Sequence, residues 1–186
     1  MTQLPKLKQQ ARFLVIIGVL LVVVEIINLL TMRSLGSLGI MPRFVPGWWH
    51  IFTAPFVHGS PTHLITNLVP LMLFMWLTLQ WGKRTFGWVT LTVFLLSGLC
   101  VWLFGRSAFH VGASGIVYGY FGFLLLAGFM TRRIPYIIIS VLVAILYGGL
   151  LIGILPGKDF VSYEYHLFGF ISGLLAAWKW GANQTS

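Results

Sequence analysis

The sequence predicts an all-α polytopic membrane protein, a bundle of six transmembrane helices. Three observations predict it. Of its 186 residues, 58% are hydrophobic and only 8% charged, and the mean hydropathy is +0.92. A soluble domain of this size could not wet such a surface. Apolar runs of spanning length, about 20 residues, recur over 13–32, 62–80, 87–104, 113–130, 135–154 and 163–180. The connections between them carry charge, proline or glycine.

Residues 1–12 read as a short cytoplasmic tail holding Lys6, Lys8 and Arg12, and 13–180 as one membrane domain. The first apolar run is not followed by a small-residue cleavage site, so it reads as a retained span. The first connection is the longest. Its Met41-Pro-Arg-Phe-Val-Pro-Gly-Trp-Trp49 stretch is too apolar to float in water and is expected in the bilayer interface, with Trp48 and Trp49 at headgroup level. The second span opens with His63 and Asn67, the fourth with Gly112-Ala113-Ser114-Gly115, and the sixth with Glu164 and His166. Residues 181–186 read as a second cytoplasmic tail. With the N-terminus inside, Lys6, Lys8, Arg12, Lys83, Arg84, Arg132, Arg133 and Lys179 face the cytoplasm. Arg33, Arg43, Arg106 and Lys158 lie outside, and this asymmetry favours both termini inside.

Composition also excludes function classes. Three acids (Glu25, Asp159, Glu164) stand against 12 Lys and Arg, a net charge of +9. The basic residues sit at the ends of apolar runs and form no patch, so they read as membrane anchors and no nucleic-acid partner is expected. Cys100 is the only cysteine, which excludes an intrachain disulfide and a cysteine metal site. No internal repeat is evident, which argues against an inverted-repeat transporter.

With this topology the second, fourth and sixth spans begin at the same face. His63, Asn67, Ser114 and His166 then fall within roughly 10 Å of that face, at about 1.5 Å rise per residue. Polar side chains inside a span are costly unless they face partners or a wet cavity. His63 and Asn67 are i, i+4 and share a helix face, as do Ser114 and Tyr118. Gly115 with Gly119, and Gly169 with Gly173, make small-residue rows through which two helices approach closely. That approach brings Ser114 and His166 into reach. A serine hydroxyl becomes a nucleophile when a base takes its proton, and His166 is the candidate base. The Ser114 backbone N–H, His63 and the Asn67 amide are candidate oxyanion donors. No carboxylate is placed as a third member, so a dyad is expected, its imidazole oriented by packing.

These residues resemble the rhomboid family of intramembrane serine proteases, in its minimal six-helix bacterial form, over nearly the whole chain. The family's G-x-S-G reads as Gly112-Ala113-Ser114-Gly115, with Tyr118 four residues after the serine. Its His-x4-His-x3-Asn reads as His58, His63 and Asn67, and its His-x2-Gly-x3-Gly as His166, Gly169 and Gly173. The resemblance implies a rhomboid-like bundle that cleaves single-span transmembrane substrates near the outer membrane face. It implies Ser114 as nucleophile, His166 as base, and His63 and Asn67 as oxyanion support, with no cofactor and no metal. It further implies lateral access beside the fifth helix and a bacterial inner membrane.

Four positions depart from the family pattern. Trp49-His50 stands where Trp-Arg is frequent, and Tyr165 where a small alanine precedes the helix-6 histidine. Trp81-Gly82-Lys83 replaces a glutamate-bearing stretch, and His110 precedes the serine by four residues. His58 is assigned a structural or cavity-lining role, and His50 and His110 read as loop residues. Three other readings compete. A catalytically silent rhomboid relative would bind membrane clients. A small transporter would need a polar path, whereas the far halves of these spans are nearly all apolar. A zinc site from His58, His63 and His166 lacks an HExxH-type helix.

Overall fold

The computed structural model describes residues 3–157 and 162–182, so Lys158 and Asp159 lie outside the described residues. The described residues form six α-helices: α1 (Gln3–Leu30), α2 (Pro61–Thr78), α3 (Lys83–Phe104), α4 (Ser114–Thr131), α5 (Ile134–Tyr147) and α6 (Tyr163–Trp180). Short 3₁₀ segments fill the connections, notably Ser34–Leu38, Val45–Phe52, Ala54–Phe56 and Gly148–Ile154. The architecture is an all-α membrane bundle.

Sequence and structure differ most at two element boundaries. α1 starts at Gln3, so the expected tail is helical from there; Lys and Gln are good helix formers and extend the span without leaving backbone groups open. The fifth α-helix stops at Tyr147, where Gly148 and Gly149 follow and the chain tightens to 3₁₀ as far as Ile154. Among the described residues, five spans are long and apolar enough to cross a membrane on length and composition: Lys6–Leu30, Pro61–Trp81, Lys83–Phe104, Ser114–Thr131 and Ile134–Ile154. α6 matches α4 in length but carries Glu164, His166, Ser172 and Lys179, and does not meet that measure. Its place in the bundle is fixed by packing.

α4 is the axis of the bundle. It packs against α2, α3, α5 and α6, while α1 lies against α2. Its apolar window is 67% buried, against 17% for α1 and 11% for the fifth span. The α4–α6 contact is backbone on backbone. A Cβ on Gly169 would strike the Gly115 carbonyl, and one on Gly173 would strike the Gly119 carbonyl. Small residues at both positions are therefore what permits the approach. Gly119 turns its own Cα hydrogens to Val93 of α3, so the expected Gly115–Gly119 row serves two neighbours.

Caps set where the helices begin. Ser60 caps α2, its Oγ accepting the His63 N–H at 3.0 Å, and Pro61 occupies the first turn. Ser162 caps α6, accepting the Tyr165 N–H at 3.3 Å. α4 has no side-chain cap; Ala113 precedes it. These three starts lie at one end of the bundle and surround a cavity.

Candidate active site

The cavity has a volume of about 780 Å³ and is lined by His63, Asn67, Ser114, Tyr118 and His166, with Arg106 and His110 from the α3–α4 connection. The structure thus brings together the polar residues that the sequence places at three helix starts. Ser114 is 4% exposed, at the first position of α4. Gly112 makes its placement possible. Its φ is +109°, in the region that favours glycine, and a Cβ there would come within 2.8 Å of the His63 ring. The Gly112 N–H is anchored to the Ala54 carbonyl at 2.9 Å.

His166 is held in two ways. Its ring stacks on Tyr118 with centroids 4.1 Å apart and planes 5° apart. Its Nδ1 lies 2.9 Å from the Gly153 carbonyl. A carbonyl only accepts, so Nδ1 carries the proton and Nε2 is left as an unprotonated nitrogen. Sequence reasoning foresaw the packing and missed Gly153. The site needs glycine there, because a Cβ would run into the Tyr118 hydroxyl. The signal available was the Gly148-Gly149 pair, which ends α5 and turns the chain across the cavity.

His63 has the opposite tautomer. The Gly59 N–H donates to its Nδ1 at 3.3 Å, so the proton sits on Nε2. Asn67 donates one amide hydrogen to the His63 carbonyl at 2.8 Å, which leaves its second N–H. His58 is 1% exposed; the Ala113 N–H donates to its Nε2 at 3.3 Å, and its ring meets His63 edge-on at 5.2 Å. Burial, reinforced by the neighbouring His63, pulls the His58 pKa down to about 4. Among the described residues, no three His, Cys, Asp or Glu side chains group as a metal site.

His110, His50, Tyr165 and Trp81, at positions that depart from the family pattern, each pack or hydrogen-bond against another part of the chain. His110 is 1% exposed and clasps α6 through Nδ1 to the Ser162 Oγ at 2.5 Å, with Nε2 3.1 Å from the Arg106 carbonyl. It also pairs with Ile40 through backbone hydrogen bonds of 2.9 Å in both directions. His110 thus lies in a connection, as expected of a loop residue, and is in addition a buried clasp with its pKa lowered by burial. His50 Nδ1 lies 3.1 Å from the Gly39 carbonyl and its ring packs on Trp49. The Tyr165 ring is fully buried and fills the space over Gly115, joining α6 to the cluster of Ile40, Ile51 and Ala54. Trp81 Nε1 donates to the Gly181 carbonyl at 3.2 Å, tying the far ends of α2 and α6.

A family model described as the rhomboid domain matches residues 46–183. The chain belongs to the rhomboid family. Among its relatives, an uncharacterised Mycobacterium leprae protein is 39% identical over 174 residues, covering 89% of this chain and 69% of that one. An uncharacterised Mycobacterium bovis protein is 35% identical over 174 residues, covering 89% of this rhomboid and 72% of that protein. RHOMBOID-like protein 4 of Arabidopsis thaliana is 33% identical over 156 residues, 78% of this chain and 38% of that one.

Proposed function

We propose that this rhomboid protein is an intramembrane serine endopeptidase working through a Ser114–His166 dyad. The observation that carries the reading is the pair of opposite tautomers at one cavity. His166 presents an unprotonated Nε2 and His63 a protonated one, with the Ser114 hydroxyl in the same cavity. In acylation, Nε2 of His166 takes the Ser114 proton as Oγ attacks the scissile carbonyl. The Gly153 carbonyl stabilises the imidazolium through Nδ1–H. The oxyanion is met by the His63 Nε2–H, the free Asn67 N–H and the Ser114 backbone N–H at the uncapped start of α4. Collapse expels the amine, which takes the proton from His166. Water, deprotonated by the same nitrogen, then releases the acid and restores Ser114.

The substrates of this reading are single-span membrane proteins cut near the outer face. The chain sits in a bacterial inner membrane with both termini cytoplasmic, the orientation that its loop charges favour. The test is labelling of the detergent-solubilised protein with a fluorophosphonate probe, read by intact mass. A single adduct on wild type, lost in both Ser114→Ala and His166→Ala, is expected. No adduct on folded wild type with this probe or a second serine-directed inhibitor would overturn the reading in favour of a client-binding rhomboid relative.

A further inference from the structure

α1 is the span whose polar residues the dyad does not explain. It is mostly exposed to lipid, yet Glu25 is 4% exposed and Asn28 is 1% exposed. They are i, i+3 and share a helix face. Just after the helix, Met32 and Arg33 adopt φ of +53° and +67°, a backbone conformation disfavoured for such residues. That reversal swings the Arg33 side chain back over α1. Its Nη1 donates to Glu25 Oε1 at 2.7 Å and to the His58 carbonyl at 3.2 Å. Asn28 Nδ2 donates to the same carbonyl at 3.0 Å. Two donors from α1 thus converge on one backbone oxygen. On its other side the His58 ring accepts the N–H of Ala113, the residue before Ser114, and abuts His63.

We infer that Glu25, Asn28 and Arg33 are positioning residues that hold the Ser114 turn and His63 in place through His58. The inference rests on the proposed protease reading for its catalytic consequence only. A carboxylate buried in a mostly lipid-facing helix needs compensation, and Arg33 supplies it. The ion pair fixes the guanidinium, and the guanidinium fixes the His58 carbonyl. With that carbonyl pinned, the His58 ring has one way to meet the Ala113 N–H. A pair serving only to anchor α1 would stop at the helix interface; this one continues by hydrogen bonds to the residue beside the nucleophile.

The test uses the full chain in detergent and the variants Arg33→Gln, Asn28→Leu and Arg33→Lys. Residue-resolved amide exchange is read on a Ser114→Ala background, and fluorophosphonate labelling kinetics on the active chain. In Arg33→Gln and Asn28→Leu the Ala113 amide should exchange about tenfold faster, the scale of one lost hydrogen bond, with the amides of α6 unchanged. The maximal labelling rate should fall by a similar factor while the probe's half-saturating concentration stays fixed. Arg33→Lys should recover most of the rate, because an ammonium still bridges Glu25 and the carbonyl. Unchanged Ala113 exchange overturns the inference, and so does loosening spread evenly over α2, α4 and α6. Local loosening with a wild-type labelling rate overturns the positioning role. Failure of the wild type to label would refute the protease reading instead, and Ala113 exchange would still decide the tether.

Discussion

His58 gives the most quantitative prediction. It is 1% exposed, and its Nε2 accepts the Ala113 N–H, so a proton there would turn an acceptor into a second donor facing the first. Its pKa falls from 6.5 to about 4 in the fold. A lowered pKa means that the unfolded chain binds the proton first as pH drops. Stability is thus fully present above about pH 6.5 and is lost as pH falls toward 4, by roughly 3 kcal/mol in total. The perturbation is His58→Gln, whose amide oxygen reaches the position of Nε2 and can accept from Ala113 but does not titrate. The assay is reversible unfolding in mixed detergent micelles at pH 7.5 and pH 4.0. Wild type should lose about 3 kcal/mol more than the variant between those two conditions, since every other titratable group is common to both. Equal losses, within about 0.5 kcal/mol, would refute the argument that His58 is held neutral by burial.

Asn67→Ala should slow turnover without abolishing it, by at most roughly 3–4 kcal/mol of transition-state stabilisation; saturation kinetics on a transmembrane substrate would show the loss in kcat. Gly169→Val places a branched side chain against the Gly115 backbone, so thermal stability and Ser114 labelling should fall together. Wild-type melting of that variant would discredit the close α4–α6 contact. Gly153→Ala drives a methyl into the Tyr118 hydroxyl while leaving the helices intact. Labelling should drop at least about tenfold with little change in melting temperature, since only the support of His166 is displaced.

What the sequence revealed and what it hid follow from the range of the interactions. Spans were legible because a bilayer demands long apolar runs, and the glycine rows because backbone contact demands small residues on one helical face. That Ser114, His166, His63 and Asn67 line one cavity was legible because polar side chains within apolar spans are conspicuous and stood at matching depths. α6 was legible as a helix by its length, although Glu164, His166, Ser172 and Lys179 lower its apolarity. The boundaries of α1 and α5 were less so: a polar helical extension looks like a tail, and a 3₁₀ stretch looks like the end of a helix. Gly153 and His110 were hidden for another reason. Each acts through a contact with another element, and in one case the acting group is a backbone carbonyl, which no side-chain pattern advertises.

For the proposed dyad, that carbonyl is a way to set up acid–base chemistry in a low-dielectric site with no carboxylate as a third member. An ionised carboxylate beside His166 would itself need compensation within the span, at several kcal/mol if left unpaired. A backbone carbonyl fixes the same tautomer as a neutral acceptor. The device recurs: Gly59 N–H serves His63, Ala113 N–H serves His58, and Gly153 C=O serves His166. Each of the three imidazoles has one nitrogen satisfied by the main chain. Whether that group is a donor or an acceptor decides whether the other nitrogen carries a proton. Two N–H groups and one C=O therefore assign the roles, so that His63 offers a proton and His166 offers a lone pair to the same cavity. The charged pairs of the described residues, Glu25 with Arg33 and Glu164 with Arg106, each join a helical residue to a connection. The first holds the guanidinium that reaches the His58 carbonyl, and the second ties α6 to the connection that carries Arg106 into the cavity wall, so the Arg106 charge at the cavity is balanced by a carboxylate.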